Sequence, residues 1–207
     1  MKVGTKSLLF GVHCIVIHPL WVALAWWKLY GFPWDPRLWV AFIVHDWGYW
    51  GLDEMDGPKG DQHPMLGADI MHRLFDSSAL CKCEGCRDYN GPEGYHWYDF
   101  CVHHSRFLAK KRGRNPSKLC MADKLSLGLE PWWLYLPRAW ASGELKEYMK
   151  SAQPEGKHGH MNLSQVSAIT WYKSVQEYLI KYSFEHKDGK LDTVTQVQDR
   201  YTGDSGV

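Results

Sequence analysis

The chain has almost no net charge, no strand-like alternation of useful length and no internal repeat, and each shortage narrows what it can be. Its 24 lysines and arginines offset 23 aspartates and glutamates, leaving +1 over 207 residues, so no global field draws it to nucleic acid or to an anionic membrane surface. Recognition of any ligand must be local. The missing period-2 pattern argues against a sheet and for helices. Disulfides are also unexpected: of six cysteines, Cys14 and Cys120 lie on apolar segments and read as core, and Cys81, Cys83 and Cys86 crowd into CKCEGC. With 45% hydrophobic residues a chain of this length buries a full core without staples. Reduced thiols then imply a cytoplasmic protein.

One long uncharged run is present, Ser7 to Trp27, flanked by Lys6 and Lys28. It approaches the length a bilayer requires, and Ala23-Leu24-Ala25 imitates a secretory cleavage site. His13, His18 and Pro19 in its middle argue against both readings, because polar groups at bilayer depth are rare. A buried helix, kinked or begun at Pro19, is the expectation.

What the sequence does have is a series of metal-binding residue types on otherwise apolar segments: His18, the pair His45-Asp46, His63, the pair His103-His104, and Asp123. Buried polar groups are costly without partners, and a shared divalent metal centre would satisfy the whole set, since imidazole and carboxylate together suit iron, manganese, zinc and, less well, magnesium. Consecutive side chains on a helix point roughly 100° apart, so His45 and Asp46 reach one site only near a helix end or around a compact cluster. Asp46 has two oxygens and can bridge two ions. Ions about 3.5–4 Å apart, bridged by a carboxylate and a hydroxide, make a nucleophile at neutral pH and clamp a phosphoryl group.

Taken in order, HPLWVALAWW with His18, VHDWG with His45 and Asp46, HPMLGA with His63, VHHS with His103 and His104, and ADKLS with Asp123 resemble the HD-domain superfamily of metal-dependent phosphohydrolases. The resemblance runs from His18 to about Leu127, and HPMLGA with the double histidine is similar to the two-metal branch. Tyr49 stands where a lysine often follows the doublet, and no Gly-Tyr-Pro signature follows His104, which argues against the cyclic-di-GMP phosphodiesterase subgroup. The resemblance implies an all-α bundle with a central metal site. It implies two divalent ions (Mn, Fe, Co, Mg or Zn) held by His18, His45, Asp46, His63, His103, His104 and Asp123, with Asp46, His63 and His103 in catalysis. The expected reaction is attack of a metal-bound hydroxide on a phosphoester of a nucleotide or nucleotide-like molecule. A two-iron oxygenase on the same ligands, and a binding protein with structural metals, are the alternatives.

Other segments fill in the architecture. Asp35-Pro36 starts a short buried helix to Val44, Gly51 to Gln62 is a loop, and His63-Pro64 opens a helix to Phe75. Glu93 to Lys111 carries the double histidine on one helix, and Asn115-Pro116 starts the helix with Asp123. PWWLYLPRAW is interrupted by Pro131 and Pro137, and GELKEYMKSA makes a helical turn or two. These form a metal-binding domain over 1–152, followed by a linker over 153–163. From Ser164 to residue 187 an extra C-terminal helix, with Val166, Ile169, Tyr172, Val175, Tyr178, Leu179 and Tyr182 at helical spacing, packs on the bundle; residues 188–207 form a polar tail.

The twelve tryptophans suit an apolar pocket or plain core. The basic stretch Arg106, Lys110, Lys111, Arg112, Arg114 and Lys118 lies between two ligand-bearing helices. Lys110 and Lys111 in it, and Lys124 beside Asp123, are candidate contacts for a substrate phosphate. Cys81, Cys83 and Cys86 could hold a separate structural zinc with His72, His96 or Cys101 as fourth ligand. His13, His72 and His96 lie near the ligands and could orient them, whereas His158 and His160 sit in a glycine-rich linker and are left solvated.

Overall fold

The computed structural model describes residues 1–55, 59–76, 96–151, 166–191 and 193, and these form helices and turns with no strand among them. The CKCEGC cluster, the linker and nearly all of the tail beyond 191 lie outside the described residues. The run from Ser7 to Trp27 is split between α1 (Val3–Phe10) and α2 (Ile17–Tyr30). A turn separates them, and Pro19 sits in the first turn of α2, where its missing N–H would have no helical partner anyway. Among the described residues no helix is long and apolar enough to cross a membrane.

Helix α3 (Pro36–Val44) begins where its sequence says, with the Asp35 carboxylate accepting a 2.9 Å hydrogen bond from the Arg37 N–H. Helix α4 (Pro64–Met71) passes into a wider π turn over His72–Asp76. The single helix expected over 93–111 is two, α5 (Trp97–Val102) and α6 (Arg106–Lys111). Between them the Ser105 hydroxyl accepts from the Leu108 N–H and caps α6, a local bond that competes with continued helix. Helix α7 (Lys118–Leu129) starts after Ser117 rather than at Asn115-Pro116. There the Ser117 N–H donates to the His103 carbonyl at 3.0 Å and its hydroxyl to the Phe100 carbonyl at 2.8 Å, tying the segment to the end of α5. Helix α8 (Trp132–Ser142) runs through Pro137, and α9 (Glu144–Ser151) follows one glycine later. The last helix, α10 (Ala168–His186), is capped by Ser167, so it opens later than Ser164, and Val166 precedes it.

Packing follows the apolar faces. Helix α7 lies against both α2 and α10, and Val22, Ala25, Phe42, Met71, Trp97 and Leu125 form part of one continuous core. The Tyr172 hydroxyl donates to the carbonyls of Leu127 at 2.8 Å and Glu130 at 3.0 Å, fastening α10 to the end of α7. The tryptophans divide: Trp26, Trp97 and Trp171 are buried, while Trp27, Trp34, Trp50, Trp132, Trp133 and Trp140 are exposed.

Candidate metal centre

Five segments deliver side chains to one point inside the bundle. His18 is the second residue of α2, His45 ends α3 with Asp46 just beyond it, His63 immediately precedes α4, His104 follows α5, and Asp123 lies mid-way along α7. The adjacent pair works because it sits where the chain leaves the helix, so two consecutive side chains can turn to one site. Gly67 lets α4 come close: a Cβ there would lie 2.5 Å from the Val44 carbonyl oxygen and 2.8 Å from the His45 Cα.

Asp46 divides the cluster. Its Oδ2 lies 3.3 Å from His18 Nε2 and 3.1 Å from His45 Nε2, and Asp123 Oδ1 is 3.1 Å from the same His18 nitrogen. Its Oδ1 lies 3.4 Å from His63 Nε2 and 3.3 Å from His104 Nε2, which are 3.0 Å from each other. Two ligand groups result, His18, His45, Asp46 and Asp123 on one side, and Asp46, His63 and His104 on the other. The carboxylate is common to both.

The far ring nitrogens show what the near ones offer. Nδ1 of His45 faces the Phe42 carbonyl at 3.0 Å, that of His63 the Gly60 carbonyl and that of His104 the Cys101 carbonyl, both at 2.6 Å. A carbonyl only accepts, so each Nδ1 carries a hydrogen and each ring turns its Nε2 inward, a lone pair whenever the ring is neutral. These inward nitrogens face carboxylate oxygens, and His18 Nε2, His45 Nε2 and Asp46 Oδ2 are buried without a hydrogen-bond partner. Buried acceptors of this kind call for a cation. Each group could hold a metal ion.

The charges agree. Burial raises the Asp46 carboxyl, but His45, His13, His104 and His18 outweigh it and hold the group well below the ordinary carboxylate range. Asp123 is likewise held well below that range, burial being overcome by Lys124, His18 and His45. Burial disfavours a charged His45, yet Asp46 and Asp123 push its pKa up to about 10, and they raise His18 in the same way. His104 goes the other way, down to about 4, because burial dominates there, and burial lowers His63 too. One side of Asp46 therefore favours positive charge, and the other favours neutral rings.

His103 is not brought into either group. Its charge neighbours are Asp99, Arg112 and Arg114, because one residue of rotation at the end of α5 turns it away from the side His104 faces. Lys124 reaches Asp123, with Nζ 2.7 Å from Oδ2 and the side chain 26% exposed. Lys110 lines a groove of about 420 Å³ with Arg106 and Arg114, and Lys111 lies over the Phe107 ring. His72 and His96 flank the buried Asp76 carboxylate at 3.6 and 3.7 Å. That carboxylate accepts from the Trp97 and Tyr98 N–H groups. Burial pushes the Cys101 thiol up. The sequence reading missed Glu144, which holds His13 from 131 residues away, and Tyr49, whose ring stacks on His63 at 4.0 Å. No local motif marks either.

Compared with models of known protein families, with curated proteins and with solved structures, the chain matches none.

Proposed function

We propose that the chain is a metal-dependent phosphohydrolase acting on a phosphoester of a nucleotide or nucleotide-like substrate, with a centre like that of the HD-domain enzymes its motifs resemble. The observation that carries this reading is the division of Asp46, with Oδ2 facing His18 and His45 and Oδ1 facing His63 and His104. When bound there, two divalent ions supply Lewis-acid activation of water and neutralise a phosphoryl group.

The chain's own residues do the rest. Asp46 would be shared between the two ions, with His18, His45 and Asp123 holding one and His63 and His104 the other. Four imidazoles against two carboxylates favour manganese, iron, cobalt or zinc over magnesium, which prefers oxygen ligands. The Lys124 ammonium, at Asp123 and partly exposed, is a point charge for a phosphate at the edge of the centre. Nucleotide as the substrate class rests on the resemblance and on this local positive charge.

The test is a hydrolysis screen on metal-stripped protein reloaded separately with manganese, iron, cobalt, magnesium and zinc, using nucleoside mono-, di- and triphosphates and a chromogenic phosphodiester. Metal-dependent release of phosphate or nucleoside is expected. Oxygen uptake by the ferrous form with no phosphoester cleavage would replace the reading with the oxygenase alternative.

A further inference from the structure

His63 stands at the end of a connection, just before α4 and just after one 3₁₀ turn over Gly60–Gln62. Its side chain is 12% exposed, against 1–6% for His18, His45, Asp46, His104 and Asp123. Its orientation also counts for more. The ligand group to which it belongs has three members and the other has four, so a misplaced His63 leaves only Asp46 and His104 on that side.

Three contacts hold its ring. Nδ1 donates to the Gly60 carbonyl at 2.6 Å, Nε2 lies 3.4 Å from Asp46 Oδ1, and one face rests on the Tyr49 ring, with centroids 4.0 Å apart and planes 11° from parallel. They restrain different motions. The hydrogen bond limits rotation within the plane of the imidazole, whereas a ring stacked on its face limits tilt out of that plane. Tyr49 is itself buried, packed with Leu8 and Met55, and the His13 ring lies 4.9 Å away.

Asp46 and Tyr49 reach His63 from one turn of chain. A 3₁₀ turn over Trp47–Tyr49 follows Asp46 and is closed by the Tyr49 N–H on the Asp46 carbonyl at 3.0 Å, and residues three apart in such a turn eclipse one another. Carboxylate and phenol ring therefore approach the imidazole together. Gly48 permits the approach, since a Cβ there would overlap the His63 carbonyl.

We infer that Tyr49 is a positioning residue for one of the two ions: stacked on His63, its ring keeps Nε2 aimed at the position that Asp46 Oδ1 and His104 share. The inference rests on the two-ion reading of the centre and adds to it a residue outside both ligand groups. It asks for the aromatic face and nothing of the phenol hydroxyl.

The experiment titrates the full chain with manganese in equilibrium dialysis, counting ions per chain and their dissociation constants, with a melting curve for every variant. Tyr49→Leu, and Tyr49→Met should the smaller residue not fold, should bind one ion as the parent does and the other about tenfold more weakly, the lower end of losses when a partner that orients a ligand is removed. Tyr49→Phe keeps the ring and should bind both ions as the parent does. Leu8→Ala loosens the same packing without touching the stack, so it should lower the melting temperature and leave both affinities alone. In a His63→Ala chain, Tyr49→Leu should cost no further affinity. Parental binding by Tyr49→Leu, a Tyr49→Phe as impaired as Tyr49→Leu, an equal loss for both ions, a weakened ion in Leu8→Ala, or a further loss in the His63→Ala chain would each overturn the inference while sparing the two-ion reading. A parent that binds fewer than two ions would remove that reading and the inference together.

Discussion

Asp46 and Glu144 are both buried carboxylates with histidine beside them, and they are completed in opposite ways. Around Glu144 the chain brings donors, namely two hydroxyls of serine, a tyrosine hydroxyl, a backbone N–H and the Nδ1 hydrogen of His13. Around Asp46 it brings ring nitrogens that are acceptors when neutral, because His45, His63 and His104 each give the Nδ1 hydrogen to a carbonyl on the far side. One site is finished by the protein itself. The other could hold a metal ion, and on the proposed reading the same residue types are scaffold in one place and chemistry in the other.

The sharpest way to break the contrast is to neutralise Asp46. Asp46→Asn keeps the volume and removes the shared charge, so hydrolysis should fall at least about 10³-fold, the scale for loss of a preorganised electrostatic group. Steady-state kinetics with metal quantification on a folded variant check it; near-parental turnover would remove Asp46 as the bridge. Chelation should come next in size. At free metal about a thousandfold above its dissociation constant, binding adds about 4 kcal/mol, so stripping the metal should lower the melting temperature by roughly 8–16 °C for a chain of this size. A melting curve indifferent to chelator would say that the acceptors around Asp46 need no ion.

Glu144 should respond to a different insult. Glu144→Gln disturbs a satisfied network and should cost on the order of 2 kcal/mol, with the metal content of the main centre retained. The folded-state pKa of Glu144 is depressed below 4.5, so the stability it contributes is present above that ordinary value and is lost as pH falls through the lower folded one. The gap in melting temperature between parent and variant should therefore be full at pH 7 and narrow below about pH 4.5; a gap that widens on acidification would contradict the assignment. The smallest effect is expected at His103. His103→Gln should leave bound metal unchanged while His104→Gln loses an ion, and equal losses would mean that both histidines ligate.

The legible part of the site was what lies in order along the chain. His18, His45, Asp46, His63 and Asp123 stand out because polar ligand types interrupt apolar segments, and the structure gathers them at one point. Which member of His103-His104 turns inward was not legible, since that depends on where α5 stops. The stop itself was hidden: Ser105 reads as helix until its hydroxyl is seen to cap α6. The all-α class followed from helical spacing and the missing alternation, but the break of the Ser7 to Trp27 run into α1 and α2 depends on a long-range partner. Glu144 supplies that partner, bonding the Val12 N–H inside the turn from 132 residues away. Contacts at such separation leave no periodic trace.

The most direct test is a metal titration of chelator-stripped protein, with bound ions counted per chain in the parent and in Asp46→Asn. Two ions in the parent and at most one in the variant are expected from a carboxylate shared between two ligand groups. A parent that binds no ion, or a variant that binds as many as the parent, would contradict it.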